Sequence, residues 1–210
     1  MNTSATGTGR RGRKAPEGTR ANIIALTRDL IAAKGLSAVK ARNIAASAGV
    51  SVGTVYNLFG PLDDLVRLAN GRTYDDLHAH QQAALEAARQ SGATPRDRLF
   101  ALAHAYLDWV GDHHAVWSAT LAFNRGRRDH VPDWYAEKER ALMGIIEDAL
   151  SDFPHDFTGD DRLHTARALW ASIHGIVSMA MGPTALLLPV EQIERQMEIV
   201  LSAVAATLEG

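Results

Sequence analysis

Five side chains in or near one short stretch carry strong hydrogen-bonding groups. They are the hydroxyls of Ser51 and Thr54, the Tyr56 phenol, the Asn57 carboxamide and, just upstream, the Arg42 guanidinium. Donors and acceptors of this kind suit phosphate oxygens and base edges of a duplex. Other chemistries find less support. Among nine histidines, His78 and His80 are two apart and point to different sides of a helix. His113 and His114 are adjacent, and His104 with Asp108 supplies only two ligands on one face, too few for a metal site. There is no cysteine, which excludes disulfide scaffolds, zinc ribbons and thiol catalysis. A phosphate loop and a spaced carboxylate motif are absent from the sequence, and the one Gly-x-Ser-x-Gly string, Gly49-Val50-Ser51-Val52-Gly53, lies between two short helical segments with no strand before it, so it is not a nucleophile elbow. No enzyme activity, cofactor or metal is expected.

The elements that must hold the polar stretch are helical. From Thr19 onward apolar residues recur at helical spacing, with Ile23, Leu26, Leu30 and Ile31 on one face and a stop at Lys34-Gly35. Short helices are expected around Arg42–Ala48 and Val52–Phe59, separated by Gly49. Residues 44–59 have helix-turn-helix spacing: Ala45 is the small residue where two helices touch, and Gly49 tolerates positive φ at the turn. Ile44, Ala48, Val50, Val55 and Leu58 would lock the pair from inside. That leaves Ser51, Val52, Gly53, Thr54, Tyr56 and Asn57 facing out, with Ser51 capping the helix. Longer helices are expected over about 62–90, 95–111, 113–124, 132–152, 160–181 and 189–208, with breaks that include Gly111. The fold class is all-α with about nine helices; an ordinary helical hairpin is the plain alternative for residues 44–59.

Charge divides the chain in the same place. Residues 1–60 hold nine Lys/Arg against Glu17 and Asp29, a net of +7, whereas the remainder carries a net of −9. A basic end on an acidic body suits contact with a polyanion through one end only. The first 17 residues, rich in Gly, Ser, Thr and Arg, read as a flexible basic tail. Its Arg10, Arg11, Arg13 and Lys14 would lie over a minor groove or remain solvated. Neither a secretory signal nor an 18-residue apolar run occurs, so a cytoplasmic location away from membranes is expected.

The segment AGVSVGTVYNLFGPLDDLV, preceded by an amphipathic helix ending Ala-Lys-Gly, resembles the DNA-binding domain of TetR-type transcriptional regulators. Gly49, Ser51, Gly53, Thr54, Tyr56 and Phe59 stand in register with that pattern, and the close resemblance covers about residues 20–68. RALWASIHGIVSMAMG is similar to a C-terminal subgroup with a Trp…His-Gly signature. The departures are specific. Val39, Lys40 and Ala41 replace the usual threonine cap of the second helix, leaving Ser37 or water to meet its free N–H groups. Leu58 replaces a histidine, and Leu62 replaces a phosphate-binding lysine.

The resemblance implies a three-helix DNA-binding domain over 18–65, followed by a helical effector-binding and dimerisation domain over 66–210. Arg42, Ser51, Val52, Gly53, Thr54, Tyr56 and Asn57 would meet double-stranded DNA. Arg42 would reach a guanine or a phosphate, and Asn57 an adenine or a phosphate. The implied protein is a homodimeric regulator, a repressor released from a palindromic operator by a small-molecule effector. The alternatives are a helical protein-interaction adaptor or a small helical enzyme.

For the effector, the central helices offer His104, Trp109, Trp117, Phe123, Met143, Trp170 and His174, although any one Trp or Met at helical spacing also suits plain core. His174 faces either that pocket or the core. For the dimer surface, the last two helices offer Ile173, Val177, Ile193, Met197, Val200 and Val204. An intramolecular core explains the same stripes, and the resemblance favours the homodimer.

Overall fold

A computed structural model describes residues 18–127, 131–181 and 189–210. The basic tail, with Arg10, Arg11, Arg13 and Lys14, lies outside them. Eight α-helices and one 3-10 turn account for the order of elements, and no strand occurs among the described residues. They are α1 (Thr19–Lys34), the turn Leu36–Ala38, α2 (Ala41–Ala48), α3 (Val52–Phe59), α4 (Leu62–Gln90), α5 (Pro95–Arg125), α6 (Asp133–Leu150), α7 (Asp161–Met181) and α8 (Val190–Glu209).

Three apolar clusters organise these helices. Ile23, Ile24, Ile44, Ala45, Val55, Phe59 and Leu65 close the N-terminal unit around α1–α3 and the start of α4. The largest cluster joins α4 to α8 and includes Leu77, Tyr106, Trp117, Ile146, Val177 and Leu201. Between them, Ile31 of α1 packs with Val66 and Ala69 of α4 and with Val116 and Phe123 of α5. An Arg28–Asp76 ion pair of 2.5 Å adds a second tie between α1 and α4.

Two expectations need correction. The break expected at Gly111 falls two residues later: α5 consists of two helical stretches joined across a kink at His113 (φ −121°, ψ 22°), and Gly111 itself stays within the first of them. A mid-helix glycine costs only about 1 kcal/mol relative to alanine. Trp109 and Val110 before the distortion and Val116 and Trp117 after it are all buried, so packing outweighs that cost. The His113 ring stacks on Trp109 at 4.5 Å between centroids, and its Nδ1 lies 2.9 Å from the Trp109 carbonyl.

The second correction concerns α2. Ser37 does not cap it; Lys40 is the N-cap residue, and no side chain there accepts a hydrogen bond. The 3-10 turn carries the chain into α2, and the Asn43 amide donates back to the Ala38 carbonyl at 2.9 Å.

The last two helices also spend more of their apolar surface internally than the stripes imply. Ile173, Val177, Ile193 and Met197 are at most 6% exposed within the single chain. They face the chain's own core, so they cannot be surface contacts for a second copy without repacking. Val200 and Val204 are only partly buried, beside exposed Ala203, and are the two of the six that remain at the surface.

Candidate nucleic-acid interface and ligand cavity

The α2–α3 pair is built by local chemistry. Gly49 ends α2 in the left-handed region (φ 64°), and the Val50 N–H donates to the Ala45 carbonyl at 3.0 Å. Ser51 then opens α3: its Oγ accepts from the Thr54 N–H at 3.0 Å, satisfying one of the free donors of a helix start. The Thr54 hydroxyl lies 2.9 Å from the same Oγ. Val55 and Phe59 point into the N-terminal core. The opposite face of α3 consequently presents Ser51, Val52, Gly53, Tyr56 and Asn57 to solvent, with Thr54 half-buried beside them. Val52 is 40% and Tyr56 48% exposed, high for apolar and aromatic side chains.

Charge around this face is poorly balanced. Arg20, Lys34, Lys40 and Arg42 have no ion-pair partner among the described residues. Arg20 instead sits over the Phe59 ring at 5.4 Å from its centroid. Arg42 is exposed on α2. Leu62, where the resemblance leads one to expect a lysine, packs against the N-terminal core. A short capped helix with an exposed polar face and uncompensated cations nearby can enter a major groove and neutralise phosphates.

A separate cavity of about 500 Å³ opens among α4, α5, α6 and α7. Of the seven side chains named for an effector, Trp117, Phe123, Met143, Trp170 and His174 line it. His104 and Trp109 do not. The His104 Nδ1 lies 3.0 Å from its own helix's Phe100 carbonyl, and Trp109 is buried against His113 and Trp117. His104 lies more than three turns and Trp109 about two turns before the helix reaches Trp117 and the cavity wall. The lining also includes Arg67, Tyr74, Asn124, Arg125, Arg127, Tyr135 and Glu139.

Two polar networks shape its walls. Tyr74 donates to Glu139 Oε1 at 2.8 Å, and the Asn124 amide donates to the Tyr74 oxygen at 2.7 Å and to the same carboxylate oxygen at 3.0 Å. Tyr135 donates to Asn124 Oδ1 at 2.9 Å. In the second network the Trp117 indole N–H donates to the Tyr106 oxygen at 3.0 Å, and that hydroxyl lies 2.6 Å from His174 Nδ1. Ser178 Oγ lies 3.1 Å from His174 Nε2. Burial, with a smaller contribution from the Arg125 charge, lowers the His174 pKa, so the neutral ring accepts from Tyr106 at Nδ1. Burial pushes the Tyr74, Tyr106 and Tyr135 hydroxyls above their ordinary range. His174 thus both lines the cavity and completes a core network.

Within the lining, two guanidinium groups lie over the buried Phe123 ring, Arg127 at 4.3 Å and Arg67 at 5.8 Å from its centroid. Arg127 is paired with Asp63 at 2.6 Å and Arg67 with Asp64 at 2.8 Å, both in the first turn of α4. No cluster of three His, Asp or Glu side chains placed to hold a metal occurs among the described residues. No helix among them is long and apolar enough to cross a membrane.

Comparison with known proteins fits these two regions. Residues 23–68 match the family described as "Bacterial regulatory proteins, tetR family", and residues 99–205 match "Tetracyclin repressor-like, C-terminal domain". No functionally curated protein matches the chain. Among solved structures, a protein of unknown function from Rhodococcus sp. RHA1 shares 20% identity, covers 96% of this chain and 100% of its own, and has a TM-score of 0.72. A transcriptional regulator from Rhodococcus sp. Rha1 shares 20% identity over 91% of this chain and 98% of its own, with a TM-score of 0.69. The reduced form of NemR from E. coli shares 17% identity over 90% and 97%, with a TM-score of 0.64. At these identities the structural likenesses establish the fold.

Proposed function

The chain belongs to the tetR family of bacterial regulatory proteins and is a DNA-binding transcriptional regulator, and from that premise we propose that it is a ligand-released repressor. Proteins of this family act by binding DNA rather than by turnover, and they form dimers. In this reading residues 18–65 are the DNA-binding domain and 66–210 the effector-binding and dimerisation domain, in a cytoplasmic protein. Ser51, Val52, Gly53, Thr54, Tyr56 and Asn57 of α3 enter the major groove, with Arg42 alongside. Two copies meet through the α7–α8 face that retains Val200 and Val204, presenting two recognition helices to a palindromic operator. The effector occupies the cavity bounded by Trp117, Phe123, Met143, Trp170 and His174.

One observation carries the regulatory part. The cavity is walled by Arg67 and Tyr74 of α4, and this same helix begins immediately after the recognition helix. A ligand that favours one setting of α4 would shift the separation of the two DNA-binding domains, and only such differential affinity drives release. A coupling of about 1–3 kcal/mol is typical of such linkage. The test is selection of duplexes from a random pool by the full chain. The expected product is a palindrome whose half-sites are centred about one helical turn apart. Enrichment of no sequence, with equal retention of heparin and duplex, would return the protein to the adaptor reading.

A further inference from the structure

The charges on the cavity wall are one-sided. Three guanidinium groups, Arg67, Arg125 and Arg127, line it against one carboxylate, Glu139. That carboxylate already accepts two hydrogen bonds on one oxygen, from Tyr74 and Asn124, which stabilise its charge without help from a ligand. Asp63 and Asp64, which balance Arg127 and Arg67, are not part of the lining. Arg125 has no ion-pair partner among the described residues, and it lines the same cavity as His174. Behind the arginines the wall is apolar and flat-faced: Trp117 and Trp170 meet edge to face at 6.3 Å, with Leu142 and Met143 beside them.

Taking this cavity as the effector site, we propose that its ligand is an aromatic carboxylate, with the acid on Arg125 and Arg127 and the rings against Trp117, Trp170 and Met143. Arginine matches a planar carboxylate through two parallel N–H donors, and stacking on Phe123 holds the Arg127 fork in place. The Arg127–Asp63 pair is about two-fifths exposed on each side, so it is weakly held and an incoming acid can compete for the guanidinium. Such competition frees Asp63 in the first turn of α4, next to the end of the recognition helix. Ligand chemistry and the domain joint are thereby connected through one side chain.

The test titrates the full chain, without DNA, with 2-naphthoate, 2-naphthamide and 2-naphthylmethylammonium, followed by calorimetry and tryptophan fluorescence. The acid is expected to bind at least tenfold more tightly than the other two. Arg125→Gln, at an exposed position in the last turn of α5, should lower the affinity for the acid several-fold more than that for the amide, Arg127 still being in place. Asp63→Asn should tighten the acid several-fold by releasing Arg127. Equal affinities, preference for the ammonium, an undiminished acid preference in Arg125→Gln, or no binding by any probe would each overturn the proposal. Duplex selection is a separate measurement: a chain that selects a palindrome but ignores the acid loses only this ligand class. One that prefers the acid but selects no duplex loses the repressor reading instead.

Discussion

Replacing Ser51 separates what its side chain does for α3 from where α3 sits on DNA. Ser51→Ala removes the 3.0 Å bond to the Thr54 N–H, and loss of such a cap costs about 1 kcal/mol, within a range of about 0.5–2. A domain of ordinary stability, about 5–15 kcal/mol, survives that. Ser51→Asp keeps an acceptor at the same place, and its charge at a helix N-terminus adds about 0.3–1 kcal/mol. It should therefore unfold at a urea concentration equal to or above that of the unmodified protein. On DNA the same charge would face a phosphate. At about 4 Å the repulsion is about 1–4 kcal/mol for effective dielectric constants between those of water and a protein surface. With both recognition helices of a dimer affected, the loss is at least about 30-fold in affinity, since 1.4 kcal/mol is tenfold. It should shrink as salt is raised, because the screening length falls to about 8 Å at physiological ionic strength. Urea melts and fluorescence anisotropy on a selected duplex measure the two effects separately. If Ser51→Asp keeps full stability and binds DNA at low salt as tightly as the unmodified chain, the N-terminus of α3 does not face phosphate.

Tyr56→Ala, removing an exposed phenol, should weaken binding to all operator variants alike, by about tenfold; a titration showing changed base preference at constant affinity would contradict a phosphate role. Ala203→Glu, at an exposed small residue of α8, should give a monomer of unchanged helicity by light scattering and far-UV circular dichroism, with operator binding lost. Tyr106→Phe leaves the buried Trp117 N–H without its partner and His174 Nδ1 with Ser178 alone, and should destabilise by about 1–3 kcal/mol in denaturant melts. Because His174 has a lowered pKa when folded, the unfolded chain binds its proton first. Stability should thus be complete above about pH 6.5 and decline as pH falls from there toward the folded value, and His174→Gln should flatten that slope.

How far the sequence could be read depended on how far the deciding contacts lay along the chain. The α2–α3 turn rests on neighbours: Gly49 supplies the positive φ, Ser51 caps three residues ahead, and Val55 with Phe59 sets the buried side. All of that is visible locally. The Ser37 cap failed at the same short range because a 3-10 turn offered the chain another route into α2. The break in α5 was legible to within two residues, but its place at His113 rather than Gly111 goes with the stacking of that ring on Trp109, which no glycine rule includes. Apolar stripes on α7 and α8 reveal which faces are buried but not by which chain, so Ile173, Val177, Ile193 and Met197 were open to two readings. The arginines of the cavity were the least legible. In the sequence Arg67, Arg125 and Arg127 look like solvated surface charges, and only the approach of α4 to the end of α5 turns them toward one space.

The cluster of Ile31, Val66, Ala69, Val116 and Phe123 has a practical consequence for exchanging parts between related regulators. A chimera joined at residue 65 would cut between Ile31 and the four side chains it packs against, leaving that buried isoleucine with a foreign partner surface. Such a hybrid could retain both folds and still lose communication between them. A transplantable reader of DNA must carry a matched set at these five positions, and its natural seam follows side-chain fit across three helices rather than a point on the backbone.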